Sequence, residues 1–189
     1  MMWIAEGLVA LDDKAKIIFD TYLQTNKSFE QFAGKYGITD IYTDNNIKQL
    51  QQAIYLDLRL NNSRTSFDAV DREGNFWELK SLNINSSRKE FSTSRHLTLE
   101  ILERYTQCFW AFSVYDQTEL EAIYVMPSHS LYPYFYKWDV ELERGRYLNN
   151  PKISLAYVRE HGIKVYDRIT DMILDPIRAL QNKEISLSN

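Results

Sequence analysis

A mixed β-sheet covered on its faces by helices is the α/β fold class this sequence predicts, and three features carry the prediction. Two strand-like runs, Thr65-Ser66-Phe67-Asp68-Ala69-Val70-Asp71 and Phe76-Trp77-Glu78-Leu79-Lys80-Ser81-Leu82, flank Arg72-Glu73-Gly74-Asn75, a turn by composition, so they read as a hairpin. Two further runs, Phe109 to Tyr115 and Glu121 to Met126, have the character of sheet strands. Segments with apolar residues every three or four positions lie before, between and after these strands. At 189 residues and 22.4 kDa, with 44% hydrophobic residues and only 6 Gly and 4 Pro, the chain has the size of one globular domain with a real core. The same composition excludes disorder, collagen-like repeats and low-complexity scaffolds.

The elements follow in order. Leu11-Asp12-Asp13 resembles a capped start, and Ala15, Ile18, Phe19, Tyr22 and Leu23 recur at helical steps, predicting an amphipathic helix to about Leu23. A second, short helix is expected over Ser28 to Tyr36, ended by Gly37. A third runs from Asp44 or Asn45 through Leu58, with Ile47, Leu50, Ile54 and Leu58 on one face and Asp44 near its positive N-terminal end. After the hairpin come a polar segment, Asn83 to His96, a helix over Leu97 to Tyr105, the two strands, and an aromatic-rich helix over Ser128 to Glu141. Tyr132, Tyr134, Phe135, Tyr136 and Trp138 in that helix are expected mostly in the core rather than stacked on unpaired bases. A last helix is predicted over Arg168 to Gln181, with a polar end expected to fray. No internal repeat and no linker is visible.

Lys and Arg total 22 against 26 Asp and Glu, a formal net charge of -4, which disfavours a sequence-indifferent nucleic-acid coat. A specific nucleic-acid enzyme fits, because basic residues can gather in one cleft while metal-holding carboxylates lower the total. The apolar run Ile4 to Leu11 is interrupted by Glu6 and lacks a basic leader, so it reads as neither a signal peptide nor a membrane span; a soluble, cytoplasmic protein is the expectation. Cys108, the single cysteine, has no internal partner for a disulfide and reads as a buried residue of a strand.

The chemistry sits in the hairpin. Glu78 and Lys80 are two apart on a strand and leave the same face, and the turn can fold Asp68 back beside them. Two converging carboxylates suit a hard divalent cation such as Mg²⁺, and a neighbouring ammonium can depress the pKa of a metal-bound water or offset charge growing on a phosphate. That combination is phosphodiester hydrolysis. A solvated, charge-paired strand face produces the same spacing, and Leu79 is the opposite-face core residue under either reading.

Phe67-Asp68-Ala69-Val70-Asp71 followed by Trp77-Glu78-Leu79-Lys80-Ser81-Leu82-Asn83-Ile84 resembles the active-site hairpin of the PvuII-type restriction endonucleases, a branch of the PD-(D/E)XK nucleases. The likeness continues in the same order through Gly37 to Asn45, Phe91-Ser92-Thr93, Tyr105, Glu121-Ala122-Ile123-Tyr124, Asn149-Asn150-Pro151-Lys152-Ile153, Tyr157-Val158 and Glu160-His161-Gly162, from about Lys35 to Tyr166. It implies a single restriction-endonuclease-like domain over 1–189, with a helical dimerisation region (1–60), a catalytic and DNA-recognition core (61–166) and a C-terminal extension (167–189).

It further implies a type II enzyme, a homodimer that grips a short palindromic duplex and cuts both strands with Mg²⁺, leaving blunt ends with 5′-phosphates. The expected target is CAGCTG or a close relative, and a cognate DNA methyltransferase is the expected functional partner. By this resemblance Asp68, Glu78 and Leu79 are the metal ligands, Lys80 activates water or stabilises charge, and Tyr105 supports the site or is simply a helix-end core residue. The first helices are the expected dimer surface, with intramolecular packing as the alternative. A catalytically silent, sequence-specific DNA-binding dimer on the same scaffold is the competing reading.

Asn149 and Asn150 are candidate readers of adenine, since an amide matches N6 and N7, although Asn-Asn-Pro is also ordinary turn chemistry. Asp44 resembles a family residue that approaches the minor groove, and it is equally a helix cap. Ser92, Ser94, Arg95, His96 and Lys152 complete the DNA-binding candidates. The pattern departs from the family at Ser94-Arg95, where consecutive histidines are expected. Arg95 can donate to guanine O6 and N7 or clamp a phosphate. The segment Ser86 to Glu90 is one residue longer than in the family, and the sequence after Tyr166 has no counterpart there. Arg88 and Lys89 read as phosphate contacts or surface charges, and His129 and His161 attract no role.

Overall fold

The computed structural model describes residues 13–38, 46–61 and 67–187. The chain divides into two compact units, Met1–Thr43 and Asp44–Asn189.

In the first unit, α1 (Asp13–Gly34) is one continuous helix where the periodicity predicted two. Gln24-Thr25-Asn26-Lys27 contains no Gly or Pro, and the hydroxyls of Thr21 and Thr25 donate to the carbonyls of Ile17 and Thr21 at 2.9 and 3.0 Å. Side chains able to compete for the backbone are thus folded onto the helix instead of breaking it. Left-handed Gly37 (φ 78°) lets the Ile38 N–H return to Ala33 at 3.2 Å and closes the segment. Ile18, Tyr22 and Leu23 of the predicted stripe are exposed, as is Ile17. The proposed start at Leu11 and Asp12 lies outside the described residues.

The second unit begins with α2 (Asn46–Leu56), shorter than predicted because Asp57 turns left-handed (φ 54°) and the Leu58 N–H folds back to Ala53 at 2.9 Å. Its buried face is Leu50, Ala53 and Leu56; Ile47 and Ile54, expected inward, are exposed. Asp44 and Asn45 lie outside the described residues. Then follow β1 (Arg59–Leu60), β2 (Ala69–Val70), β3 (Phe76–Asn83), β4 (Glu90–Ser92), α3 (Leu99–Tyr105), β5 (Phe109–Asp116) and β6 (Glu119–Pro127). A 3₁₀ turn (Ser128–Leu131) leads into α4 (Tyr132–Glu143), and β7 (Lys152–Ser154), α5 (Leu155–His161), β8 (Ile163–Asp167), β9 (Met172–Ile173) and α6 (Pro176–Leu187) complete the unit. The last helix starts at Pro176, not Arg168, because Arg168 to Asp171 form a turn and Asp175 caps α6 by accepting from the Ile177 and Arg178 N–H groups, both at 3.0 Å. It runs to Leu187 rather than fraying after Gln181. In α4, Phe135 and Trp138 are buried but Tyr132 and Tyr136 are exposed, since only one face of that helix meets the sheet.

Seven strands form a mixed sheet in the order β1-β2-β3-β5-β6-β8-β9, antiparallel except for the parallel β3/β5 pair. Alternation along the strands sorts side chains to two apolar clusters. Leu82, Trp110, Phe112, Tyr124 and Met126 join residues of α3, α4 and α5 on one face. Trp77, Leu79, Ala111, Ile123 and Val165 join residues of α2 and α6 on the other. The β-sheet with helices on both faces is therefore the predicted fold class, and its period-2 pattern fixes which side the hairpin's charged residues take.

Candidate active site

The hairpin is held from its turn upward. Buried Asp71 accepts hydrogen bonds from the Trp77 indole N–H (2.9 Å), the Asn75 amide (3.0 Å) and the main-chain N–H groups of Glu73 and Asn75 (both 2.9 Å). Burial raises its pKa, but these donors, Trp77 and Asn75 foremost, hold the carboxyl below its ordinary value. Gly74 takes φ 89°, a conformation the turn requires and a side chain would strain. The ladder Ala69↔Trp77 and Val70↔Phe76 then carries the chain back so that Asp68 arrives opposite the middle of β3.

There Asp68 Oδ2 accepts from the Leu79 N–H at 2.8 Å, which fixes the carboxylate against the strand. Glu78 and Lys80 point to the face opposite Leu79, as period 2 demands. Lys80 Nζ donates to Glu78 Oε1 at 2.5 Å and lies 4.0 Å from Asp68 Oδ2. Its wall is aromatic: the Tyr105 and Trp110 ring centroids are 6.0 and 5.8 Å from Nζ. Tyr105 is a buried core residue at the end of α3, and its ring neighbours the lysine.

Burial raises the pKa of Glu78, the charge of Lys80 opposes that shift and the charge of Asp68 adds to it. Burial would lower Lys80, but Glu78 and then Asp68 outweigh it and keep the ammonium protonated well above its ordinary range. Arg104, which no motif in the sequence marks, brings a further positive charge that favours the ionised form of Glu78, and its guanidinium lies 6.0 Å from the Phe67 ring centroid. A cation in the last turn of a helix also suits the dipole, so its position alone does not single it out. Cys108 is buried, and that burial pushes its thiol pKa up, unlike an activated nucleophile.

The donor set fits a hard divalent cation. Asp68 and Glu78 offer carboxylate oxygens, and the carbonyl of Leu79 shares the strand edge of its N–H, the edge on which Asp68 sits. The leucine side chain itself is buried and has no ligand atom. Among the described residues no group of three or more His, Cys, Asp or Glu side chains is placed to hold a metal, so an ion at this point would need main-chain and solvent oxygens as well.

The other candidates gather on a second sheet. Strands β4 and β7 pair antiparallel with Glu90↔Ser154, Phe91↔Ile153 and Ser92↔Lys152 in register. The pairing continues through Thr93 N–H to Pro151 O (3.2 Å), Asn150 N–H to Arg95 O (3.2 Å) and Leu97 N–H to Leu148 O (3.0 Å). One ribbon thus joins Ser92, Ser94, Arg95 and His96 to Asn149, Asn150 and Lys152. Arg95, His96 and Asn149 are exposed. The Ser94 hydroxyl donates to His96 O at 2.9 Å, Lys152 Nζ donates to Ser92 Oγ at 2.5 Å, and the His96 ring lies 4.5 Å from that of Tyr147. Asn150 adopts φ 52°, which asparagine tolerates, and its buried Oδ1 has no hydrogen-bond partner. Asp44 is outside the described residues.

Among the described residues no helix is long and apolar enough to cross a membrane. The family model for restriction endonuclease PvuII matches residues 14–166, reaching further toward the N-terminus than the run of resembling motifs and ending within β8. The chain belongs to the PvuII restriction endonuclease family, on a restriction-endonuclease-like fold, and is a type II site-specific deoxyribonuclease whose substrate is DNA.

Proposed function

We propose that this nuclease hydrolyses phosphodiester bonds in a short palindromic duplex, CAGCTG or a close relative, as a Mg²⁺-dependent homodimer that leaves blunt ends with 5′-phosphates. The observation that carries the reading is the convergence of Asp68, Glu78 and Lys80 beside the Tyr105 and Trp110 rings, with Lys80 Nζ within 4.0 Å of both carboxylates.

Asp68, Glu78 and the Leu79 carbonyl would hold the ion, which when bound would supply Lewis-acid polarisation of the phosphoryl oxygen and a lowered pKa for water. Lys80 stays an ammonium throughout the neutral range because its two carboxylate neighbours favour that form. Its position beside both carboxylates suits it to activate the attacking water or to balance negative charge on the phosphate. Tyr105 and Trp110 exclude solvent around the ammonium, which strengthens each of these interactions. Arg95 and Asn149 present free donors and acceptors at the ribbon surface for base edges. A palindrome read twice by one chain calls for a twofold axis, and the exposed Ile17, Ile18 and Tyr22 of α1 offer an apolar surface for it. A cognate methyltransferase protects host DNA.

The test is incubation of the purified protein with plasmid and Mg²⁺, followed by sequencing of the ends. Discrete blunt fragments ending at one hexamer support the reading. A smear, staggered ends, or intact plasmid with altered mobility each overturn a named part of it.

A further inference from the structure

The residues beyond the family match, from Asp167 onward, are built into the sheet. Strand β9 adds an edge, with Tyr166↔Ile173 and Asp167↔Met172 in register, and the Leu174 N–H donates to Val165 O at 2.8 Å. Helix α6 then lies on the face opposite the catalytic side chains. Its Leu180 is 3% exposed and shares one apolar cluster with Ala69, Trp77 and Leu79. Those three are the residues that seat the catalytic hairpin from behind: Ala69 follows Asp68, while Trp77 and Leu79 flank Glu78. The far part of α6 is tied down where Lys183 Nζ donates to His161 O.

The front of the extension reaches the hairpin directly. Arg72, in the turn between β2 and β3, forms an ion pair with Asp175, the cap of α6. A cleft of about 120 Å³ lies between this contact and the end of α2, lined by Tyr55, Leu56, Asp57 and Arg72 on one side and Leu174 and Asp175 on the other. The turn of the hairpin is thus in direct contact with the C-terminal segment, whose helix packs over β6 and β8 in the same apolar cluster that backs the hairpin.

We infer that residues 167–187 are a positioning clamp for the active-site hairpin, with Arg72 and Leu180 as the positioning residues through which it acts. The inference rests on Asp68, Glu78 and Lys80 being the catalytic centre. Reacting groups tolerate displacements of only about 0.5 Å, so a hairpin free to rock on its back face loses rate before it loses its fold. The base-reading ribbon belongs to the other face and is held by its own ladder. Loosening the clamp therefore lowers the cleavage step and leaves duplex binding in place.

The experiment uses full-length protein carrying Arg72→Ala, Arg72→Lys, Leu180→Ala or, as the reference, Asp68→Ala. Single-turnover cleavage of a cognate duplex, its dependence on Mg²⁺ concentration, and duplex affinity in Ca²⁺ are measured for each. Arg72→Ala is expected to cut about 3- to 10-fold more slowly with a raised Mg²⁺ requirement and unchanged duplex affinity, Arg72→Lys to recover most of the rate, and Leu180→Ala to show the larger loss. Should Leu180→Ala fail to fold, Arg72→Ala decides alone, because that side chain is more than half exposed and its loss does not open the core. Native rate and Mg²⁺ dependence in Arg72→Ala, beside an inactive Asp68→Ala, overturn the clamp. Native cleavage by Asp68→Ala overturns instead the catalytic centre on which it rests.

Discussion

The hairpin proposed as catalytic and the ribbon proposed for base recognition use the same kind of antiparallel pairing in opposite ways. In the hairpin the polar side chains are buried and bonded to one another: Glu78 is 5% exposed and paired with Lys80, and Asp71 is 1% exposed with both carboxylate oxygens engaged. In the ribbon the main chain does the bonding, and Arg95, His96 and Asn149 stand in solvent. Chemistry needs fixed charges in a low dielectric, so its residues are interlocked and none can change alone. Reading a base edge needs donors and acceptors left free, and a ladder that ignores side-chain identity supplies them. The departure from the family pattern at Ser94-Arg95 falls, accordingly, where the fold can bear it.

That contrast can be broken by substitution, starting with its strongest claim. Asp68→Ala should lower cleavage by at least about 100-fold while sequence-specific binding persists, read by plasmid digestion beside a mobility shift. Lys80→Met should remove activity and also cost about 3–5 kcal/mol of stability, since it leaves Glu78 buried without its partner; urea unfolding measures this. Arg95→Ala should cost about 1–3 kcal/mol of discrimination at one base pair per half-site and leave the melting temperature in place. A loss spread evenly over all sequences would make Arg95 a phosphate contact instead.

Smaller effects sharpen the comparison. Asp71→Asn should destabilise by about 1–3 kcal/mol at neutral pH, because a charged acceptor of several hydrogen bonds becomes a neutral one. The folded-state pKa of Asp71 is lowered, so its stabilisation is present above the unfolded carboxyl range near pH ~4 and is lost as pH falls through the folded value. The gap between wild type and Asp71→Asn should therefore close on acidification, and a gap that stays constant in unfolding measurements from about pH 7 down to about pH 3 would refute charge-assisted hydrogen bonding as its cause. Ser94→Ala, at the other extreme, should move stability by less than about 0.5 kcal/mol, its hydroxyl reaching only a nearby carbonyl.

The hairpin was legible because its signals are local. Turn composition at Arg72 to Asn75 and alternation through Trp77, Glu78, Leu79 and Lys80 place three side chains with no information from elsewhere. Helix α1 looks like two in the sequence because polar residues near Thr25 weaken an apolar period without supplying a break. Strand β7, three residues long, and α5, seven residues long, are too short for a period to declare itself; α5 starts where Ser154 Oγ accepts from the Tyr157 N–H at 3.2 Å. The start of α6 at Asp175-Pro176 is written in the sequence as a cap followed by proline, but an apolar period that begins earlier masks it. Ile47 and Ile54 show the limit of periodicity itself: spacing defines a face of α2 but not which face the sheet will cover.

The parallel neighbourhood of β3 and β5 sets an order of assembly. Antiparallel β2 and β3 can close through a short turn, but β5 can dock only after residues 84–108 have been laid across the sheet, a slower and more distant closure. Tyr105 and Trp110 arrive with that crossover. A nascent chain therefore makes its acidic pair before it makes the aromatic walls around them.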